Sequence, residues 1–149
     1  MKPEHNRLTD EYDGIICKQL ETNIVEIAPE EVKGKEFYIP HKAVVREAAE
    51  ATKTCIAYNA SANATPESPS LNKCLYLVLA FCNRIWYVLV RQRAYPLAVT
   101  ADIQKAFLQI RVREWEYGAL RFHWKKSEHA RIEILRFTRT LSGLAPSSF

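Results

Sequence analysis

The sequence predicts an α+β fold, and three observations carry the prediction. Apolar residues recur at helical spacing near the start of the chain and again around residue 85. Alternating stretches of β-formers lie between and after these segments, and the last two are split by a short polar run, as in a hairpin.

The first element spans Thr9 to Leu20, where Tyr12, Ile15, Ile16 and Leu20 share one helical face. Thr9 or Asp10 can cap its start, and Asn23 is suited to a left-handed stop. Ala28 to Gly34 reads as an exposed, turn-rich connector. Phe37 to Val45 predicts an edge strand, because Pro40 removes a ladder donor from its middle. It should pair with a second strand over Thr54 to Ser61, with Glu47 to Lys53 between them as a short helix or a mobile loop. Residues 62–69 hold Asn, Thr, Ser and two prolines and form a loop. Ser70-Leu-Asn72 opens the next element. From Leu75 to Val90 the apolar run is dense, and Phe81, Ile85, Trp86 and Leu89 fit one face of a helix whose end, near Arg91 and Arg93, complements the helix dipole.

Leu97, Val99 and Ala101 alternate with Ala98, Thr100 and Asp102, so a strand is expected whose edge is capped by the Asp102 carboxylate, on the face opposite the first set. Gln104, Lys105 and Ala106 favour one helical turn, which would bring Phe107 back near Asp102 before alternation resumes at Leu108, Ile110 and Val112. Trp115-Glu-Tyr-Gly118 makes a turn. Leu120 to Trp124 and Arg131 to Thr140 then form a β-hairpin around the polar residues 125–129. Leu141-Ser-Gly-Leu-Ala-Pro-Ser-Ser-Phe149 has the serine and proline of a new helix start.

At 149 residues and 48% hydrophobic content the chain can bury one core. It holds no apolar run of about 18 residues, which argues against a membrane span, and no apolar leader follows the polar N-terminus, so an intracellular protein is expected. Cys17, Cys55, Cys74 and Cys82 form no Cys-x-x-Cys pair, and neither a zinc site nor a disulfide framework is indicated; buried free thiols are expected. His123 and His129 have no carboxylate or thiol at ligand spacing. Charge is uneven. Residues 1–83 carry 9 Lys and Arg against 12 Asp and Glu, whereas residues 84–149 carry 12 against 5. That basic half, interleaved with aromatics, suits a polyanion such as nucleic acid, and Arg111, Arg113, Arg121, Lys125, Lys126 and Arg131 are the expected contacts. A solvated basic face is the plainer alternative.

Six blocks in order narrow the reading. Tyr38-Ile-Pro-His-Lys-Ala-Val-Val-Arg-Glu47, Ser70-Leu-Asn72, Asp102-Ile-Gln-Lys-Ala-Phe-Leu-Gln-Ile110, Leu120-Arg-Phe-His-Trp124, Leu135-Arg-Phe-Thr-Arg139 and Gly143-Leu-Ala-Pro-Ser147 resemble the reverse transcriptase of Bel/Pao-type LTR retrotransposons. The resemblance implies an incomplete right-hand polymerase: residues 1–37 lead into the fingers, and residues 38–149 form the fingers plus the first palm strand.

By that resemblance, Asp102 is a catalytic residue and metal ligand, Ile103 lends a backbone carbonyl, Phe107 is the gate beneath the sugar, and Gly143 lies close to the nucleotide. The implied cofactor is Mg²⁺ or Mn²⁺, two ions about 4 Å apart in such polymerases. The implied partners are an RNA or DNA template-primer, a deoxynucleoside triphosphate and the rest of a Pol polyprotein. Five features depart from the family. Cys55 and Asn59 stand where it carries an Arg, which contacts phosphate, and an Asp; Leu77-Val-Leu-Ala-Phe-Cys82 stands where a Gly-Pro is usual; Ser142 replaces an aromatic or Gln; Ser148 replaces Pro; and no aromatic-x-Asp-Asp segment occurs in the 149 residues. The expectation is therefore a polymerase fragment that is inactive alone and marginally stable, or a non-catalytic nucleic-acid-binding remnant.

Overall fold

The computed structural model describes residues 3–31, 34–47, 52–76, 84–126 and 130–145. Helix α1 covers Pro3–Glu21 and stops at Asn23, which takes a left-handed φ of 53° as its residue type allows. Strand β1, Val25–Ile27, follows at once. It was not foreseen, because three residues are too few to display an alternation.

β1 is the edge of an antiparallel sheet ordered β1-β5-β4, where β4 is Arg121–Trp124 and β5 is Glu133–Phe137. Val25 faces Phe137, and Phe122 faces Leu135. The predicted hairpin is thus present, with strands shorter than expected. Beside β4 the chain at Phe37–Ile39 runs parallel: the Ile39 N–H donates to the Arg121 carbonyl at 2.7 Å, and the Arg121 N–H donates to the Phe37 carbonyl at 3.2 Å. Pro40, lacking a donor, falls just past this contact. Trp115 to Gly118, expected as a simple turn, lies within a 3₁₀ segment, Glu114–Leu120, that delivers the chain into β4.

A two-stranded second sheet accompanies the first. β2, His41–Glu47, and β3, Thr52–Tyr58, are antiparallel in register from His41 opposite Tyr58 to Glu47 opposite Thr52. At its two ends this corrects the short helix or mobile loop expected over Glu47–Lys53. Glu47, Thr52 and Lys53 all belong to the ladder, because cross-strand pairing overrides the weak helix preference of so short a stretch; residues 48–51 lie outside the described residues. After β3, Ser70 caps the four-residue helix α2, Leu71–Cys74, with its hydroxyl accepting from the Lys73 N–H.

α1, both sheets and α2 share one core, formed by Ile16, Val25, Ile39, Leu71, Phe122, Trp124, Leu135, Phe137, Leu141 and Leu144. Tyr58, Phe122 and Phe137 meet there as an aromatic trio, with centroid separations of 5.3, 4.9 and 5.1 Å. Polar ties from Glu11 to Thr54, from Asp13 to Trp124 and from Tyr12 to His41 lock α1 onto the rest of the fold. Trp124 Nε1 donates to Asp13 Oδ1 at 3.0 Å, and the Tyr12 hydroxyl meets His41 Nδ1 at 2.5 Å while His41 Nε2 meets the His123 carbonyl at 2.6 Å. Since a carbonyl only accepts, Nε2 carries a proton; burial disfavours a second proton on the ring, so Nδ1 accepts from the Tyr12 hydroxyl and His41 is neutral.

Burial holds the His41 pKa below its ordinary value; the carbonyl bond of His123 opposes this, and the charge of His123 assists it. The unfolded chain therefore binds a proton more readily than the fold, and stability falls as the pH drops through the unfolded value of about 6.5, levelling once it passes the lower folded value. Denaturant midpoints at pH 7.5 and 5.5 should differ in the wild type and differ less in His41→Gln; equal differences would remove His41 as the cause.

The middle of the chain departs most from expectation. The helix predicted over Leu75–Val90 is not continuous: Leu75 is already extended, α3 begins at Ile85 and ends at Gln92, and residues 77–83 lie outside the described residues. No residue of α3 is buried. The strand predicted at Leu97–Asp102 is irregular backbone, and that expectation is corrected too. Leu97 and Val99 are exposed, and the segment pairs with no described strand; alternation without a partner ladder does not hold a strand. Leu108–Val112 keeps only an isolated antiparallel bridge, Arg111 with Arg139, supported by the Val112 N–H donating to the Thr138 carbonyl at 3.1 Å.

Candidate functional site

The segment expected to carry catalysis is open. Asp102 and Ile103 are exposed in irregular backbone, so Asp102 does not cap a strand end as the sequence suggested. The turn after them exists in altered form. Lys105 adopts a left-handed φ of 52°, and Ala106–Gln109 makes a 3₁₀ turn that leaves Phe107 half-buried. Among the described residues, no group of three His, Cys, Asp or Glu side chains could hold a metal ion. Asp102 by itself does not satisfy the several hard oxygen ligands that Mg²⁺ or Mn²⁺ requires, so the described residues do not fit the implied cofactor.

The basic set divides. Arg111, Arg113, Lys125, Lys126 and Arg131 are exposed, and the Arg113 guanidinium lies 5.3 Å from the centre of the Trp115 ring. Arg121 is a correction. Its side chain is 2% exposed, its Nη1 pairs with Glu36 Oε1 at 2.8 Å, and its Nη2 donates to the Pro29 carbonyl at 2.9 Å. It shares the face of β4 that carries exposed His123, opposite Phe122 and Trp124, and is buried because Glu36 and the Pro29 carbonyl cover it there, Glu36 neutralising its charge. Arg121 is a structural cation and is not placed to meet a phosphate.

Gly143 sits in an exposed turn at φ +92°, a conformation that side-chain-bearing residues rarely adopt, and a Cβ there would meet nothing within 4 Å. Backbone geometry, not close approach of another group, accounts for the glycine. Its carbonyl accepts from Asn72 Nδ2 at 2.9 Å; the same amide donates to Ser61 Oγ at 2.8 Å, and Asn72 Oδ1 accepts from the Ala145 N–H at 2.8 Å. Asn72 thereby ties the loop after β3 to residues 143–145, a positioning role that its place in a short helix did not reveal. The helix start expected after Ala145 lies outside the described residues, as does His129. His123 stacks on Tyr38 with ring centres 4.7 Å apart. Cys74 is exposed and Cys17 and Cys55 are half-buried, so none of the described thiols is fully buried as expected; Cys82 lies outside the described residues.

One cavity joins several of these segments. It measures about 350 Å³, and Cys55 of β3, Leu108 of the 3₁₀ turn and Leu141 with Ser142 line it together with Gln19 and Tyr58. Three stretches distant in sequence, at 55–58, 108 and 141–142, thus meet at one place. Burial pushes the Tyr58 hydroxyl far above the ordinary tyrosine range, so it remains a hydrogen-bond donor at any ordinary pH. No helix among the described residues is long and apolar enough to cross a membrane. No family model, characterised protein or solved structure matches the chain.

Proposed function

We propose that the chain is the fingers and first palm segment of a reverse-transcriptase-type polymerase, related to the Pol polyproteins of LTR retroelements and inactive by itself. The observation that carries this reading is the shared cavity. The positions that the resemblance assigns to phosphate contact, to the segment after the metal ligand and to the nucleotide-proximal loop are occupied here by Cys55, Leu108 and Ser142, and all three line it. The antiparallel β2–β3 pair is further support, since it has the form expected of fingers strands.

The same residues argue that the chain does not catalyse. Cys55 offers no charged, bidentate contact to a phosphate, and among the described residues Asp102 stands without the further carboxylates that a metal pair needs. The test is a chimera in which a palm hairpin bearing aromatic-x-Asp-Asp from an active relative is joined after residue 149. Primer extension should be absent in the native chain, measurable in the chimera, and lost by orders of magnitude from the chimera on Asp102→Asn. Extension indifferent to that substitution would sink the role of Asp102 and, with it, the polymerase reading.

Exposure of Arg111, Arg113, Lys125, Lys126 and Arg131 favours a second reading, a nucleic-acid-binding segment without catalysis. Its affinity for single-stranded DNA should be weak, independent of sequence and steeply weaker with salt, because counterion release from neutralised phosphates supplies it. Replacing all five by Gln should abolish most binding at low salt. A fluorescence-anisotropy titration without salt dependence would refute the reading.

A further inference from the structure

Strand β2 carries an edge that the fold occupies only in part. Its side toward β3 is fixed by the Asn59 N–H donating to the Pro40 carbonyl at 2.8 Å, one step beyond the ladder that opens with His41 opposite Tyr58. By the alternation of an antiparallel pair, the main-chain groups of Lys42, Val44 and Arg46 therefore point to β3, and those of His41, Ala43, Val45 and Glu47 point away from it. That outer side continues the one on which Phe37 and Ile39 bond to Arg121 of β4. The contact with β4 stops there, and the next carbonyl along, that of His123, meets the His41 ring. Among the described residues nothing pairs with the outward N–H and C=O of Ala43 or Val45, and Val45 is 46% exposed. An open strand edge is a template for another strand.

Two features beside this edge specify what that strand carries. On the face of β2 that meets α1, where Tyr12 bonds His41, a pocket of about 180 Å³ lies against Ala43. Leu8, Thr9, Tyr12, Asp13 and Lys125 complete its lining, and it has room for one aliphatic side chain. On the opposite face Lys42 is exposed and forms no ion pair among the described residues.

We infer that the open edge of β2 binds an extended peptide by antiparallel strand addition, with an aliphatic residue opposite Ala43 followed directly by an acidic residue opposite Lys42. Main-chain bonds to Ala43 and Val45 hold the peptide, the aliphatic side chain fills the pocket, and the carboxylate meets the Lys42 ammonium. The order follows from the antiparallel sense: the residue after the one opposite Ala43 stands opposite Lys42, and its side chain lies on the other face of the sheet. A second copy of β2 is disfavoured as the occupant. The antiparallel register that pairs the whole strand with itself sets Lys42 against Arg46 of the other copy, and like charges directly opposite repel. This inference does not rest on descent from a polymerase; it stands on the geometry of the strand.

The experiment uses the full chain and the acetylated, amidated peptide Thr-Thr-Val-Thr-Leu-Glu-Thr, in which Leu is set to face Ala43 and Glu to face Lys42. Binding is followed by fluorescence anisotropy of the labelled peptide and by the backbone amide shifts of Ala43 and Val45. N-methylation at Leu, whose N–H would donate to β2, should abolish binding, whereas N-methylation at Glu, whose N–H would point away, should be tolerated. Lysine in place of the peptide's Glu should weaken binding about three- to tenfold, and Lys42→Glu in the protein should reverse that preference. Val45→Pro should keep an unfolding midpoint close to that of the wild type, because it removes only an outward N–H, yet bind no peptide. The peptide arms leave the protein unaltered, so they decide the matter even if a variant fails to fold. No binding, or equal loss from the two N-methylated peptides, would overturn the proposal. So would a charge preference that Lys42→Glu leaves unchanged, or a dimer of the free chain that Val45→Pro dissolves, which would give the edge to a second copy.

Discussion

Phe137→Ala should destabilise the fold by about 3–5 kcal/mol, the largest effect expected of any single substitution here. The ring is fully buried at the centre of the sheet, opposite Val25 of β1, and meets Tyr58 edge-on at 4.9 Å and Phe122 at 5.1 Å. Removing it opens a void that the sheet cannot close, since β5 is held on both sides by neighbouring strands. Two aromatic contacts disappear with it, and such contacts carry stabilisation beyond the area they bury. Phe137→Leu should recover most of the loss, as it refills most of the volume. Urea midpoints for the three chains decide the matter: similar midpoints for wild type and Phe137→Ala would mean that the two sheets do not share a core.

The second large effect concerns Arg121, and it should be asymmetric. Glu36→Ala leaves a guanidinium in the interior with only the Pro29 carbonyl as partner and its Nε–H already without an acceptor. An uncompensated buried charge costs several kcal/mol, here about 2–3 because Glu36 itself is about a third exposed and the site can admit some water. Arg121→Met should cost less. The stem's packing is largely kept, no charge remains inside, and Glu36 can turn to solvent while keeping its 2.5 Å bond from the Tyr38 hydroxyl. Thermal unfolding that ranks Arg121→Met below Glu36→Ala in stability would show that the arginine is needed for its donors and not merely tolerated with its partner.

The same arginine shows where reading the sequence succeeded and where it failed. Helix α1, its stop at Asn23, the β2–β3 pair and the β4–β5 hairpin were legible because their signals are local: a helical period, a left-handed residue, alternation around a polar loop. Arg121 was misread because alternation alone cannot tell which face of a strand another segment covers. That depends on Pro29, Glu36 and the Phe37–Ile39 stretch, whose contacts with β4 leave no mark in either segment. The Leu97–Asp102 strand failed for the complementary reason. Its pattern is strand-like, but a strand needs a neighbour, and the described residues provide none. The cavity was invisible for the same cause, since Gln19, Cys55, Leu108 and Ser142 are joined by the fold and by no motif. Asn72 had a signal, a lone amide at a helix start, but its partners at Ser61, Gly143 and Ala145 could be found only in space.

The pairing of β1 with β5 also has a consequence for the order in which the protein matures. Glu26 and Arg136, linked by a 2.6 Å hydrogen bond across those strands, are 110 residues apart. At translation rates of about 5–20 residues per second, roughly 5 to 20 s separate synthesis of the two partners. Throughout that interval α1 and β1 are outside the ribosome without the surface that buries Val25 and Ile16, whereas β2 and β3 are near in sequence and can pair at once. The early chain is therefore a hairpin with an unsatisfied amphipathic helix attached, and the central sheet closes only once β5 arrives to pair with both β1 and β4.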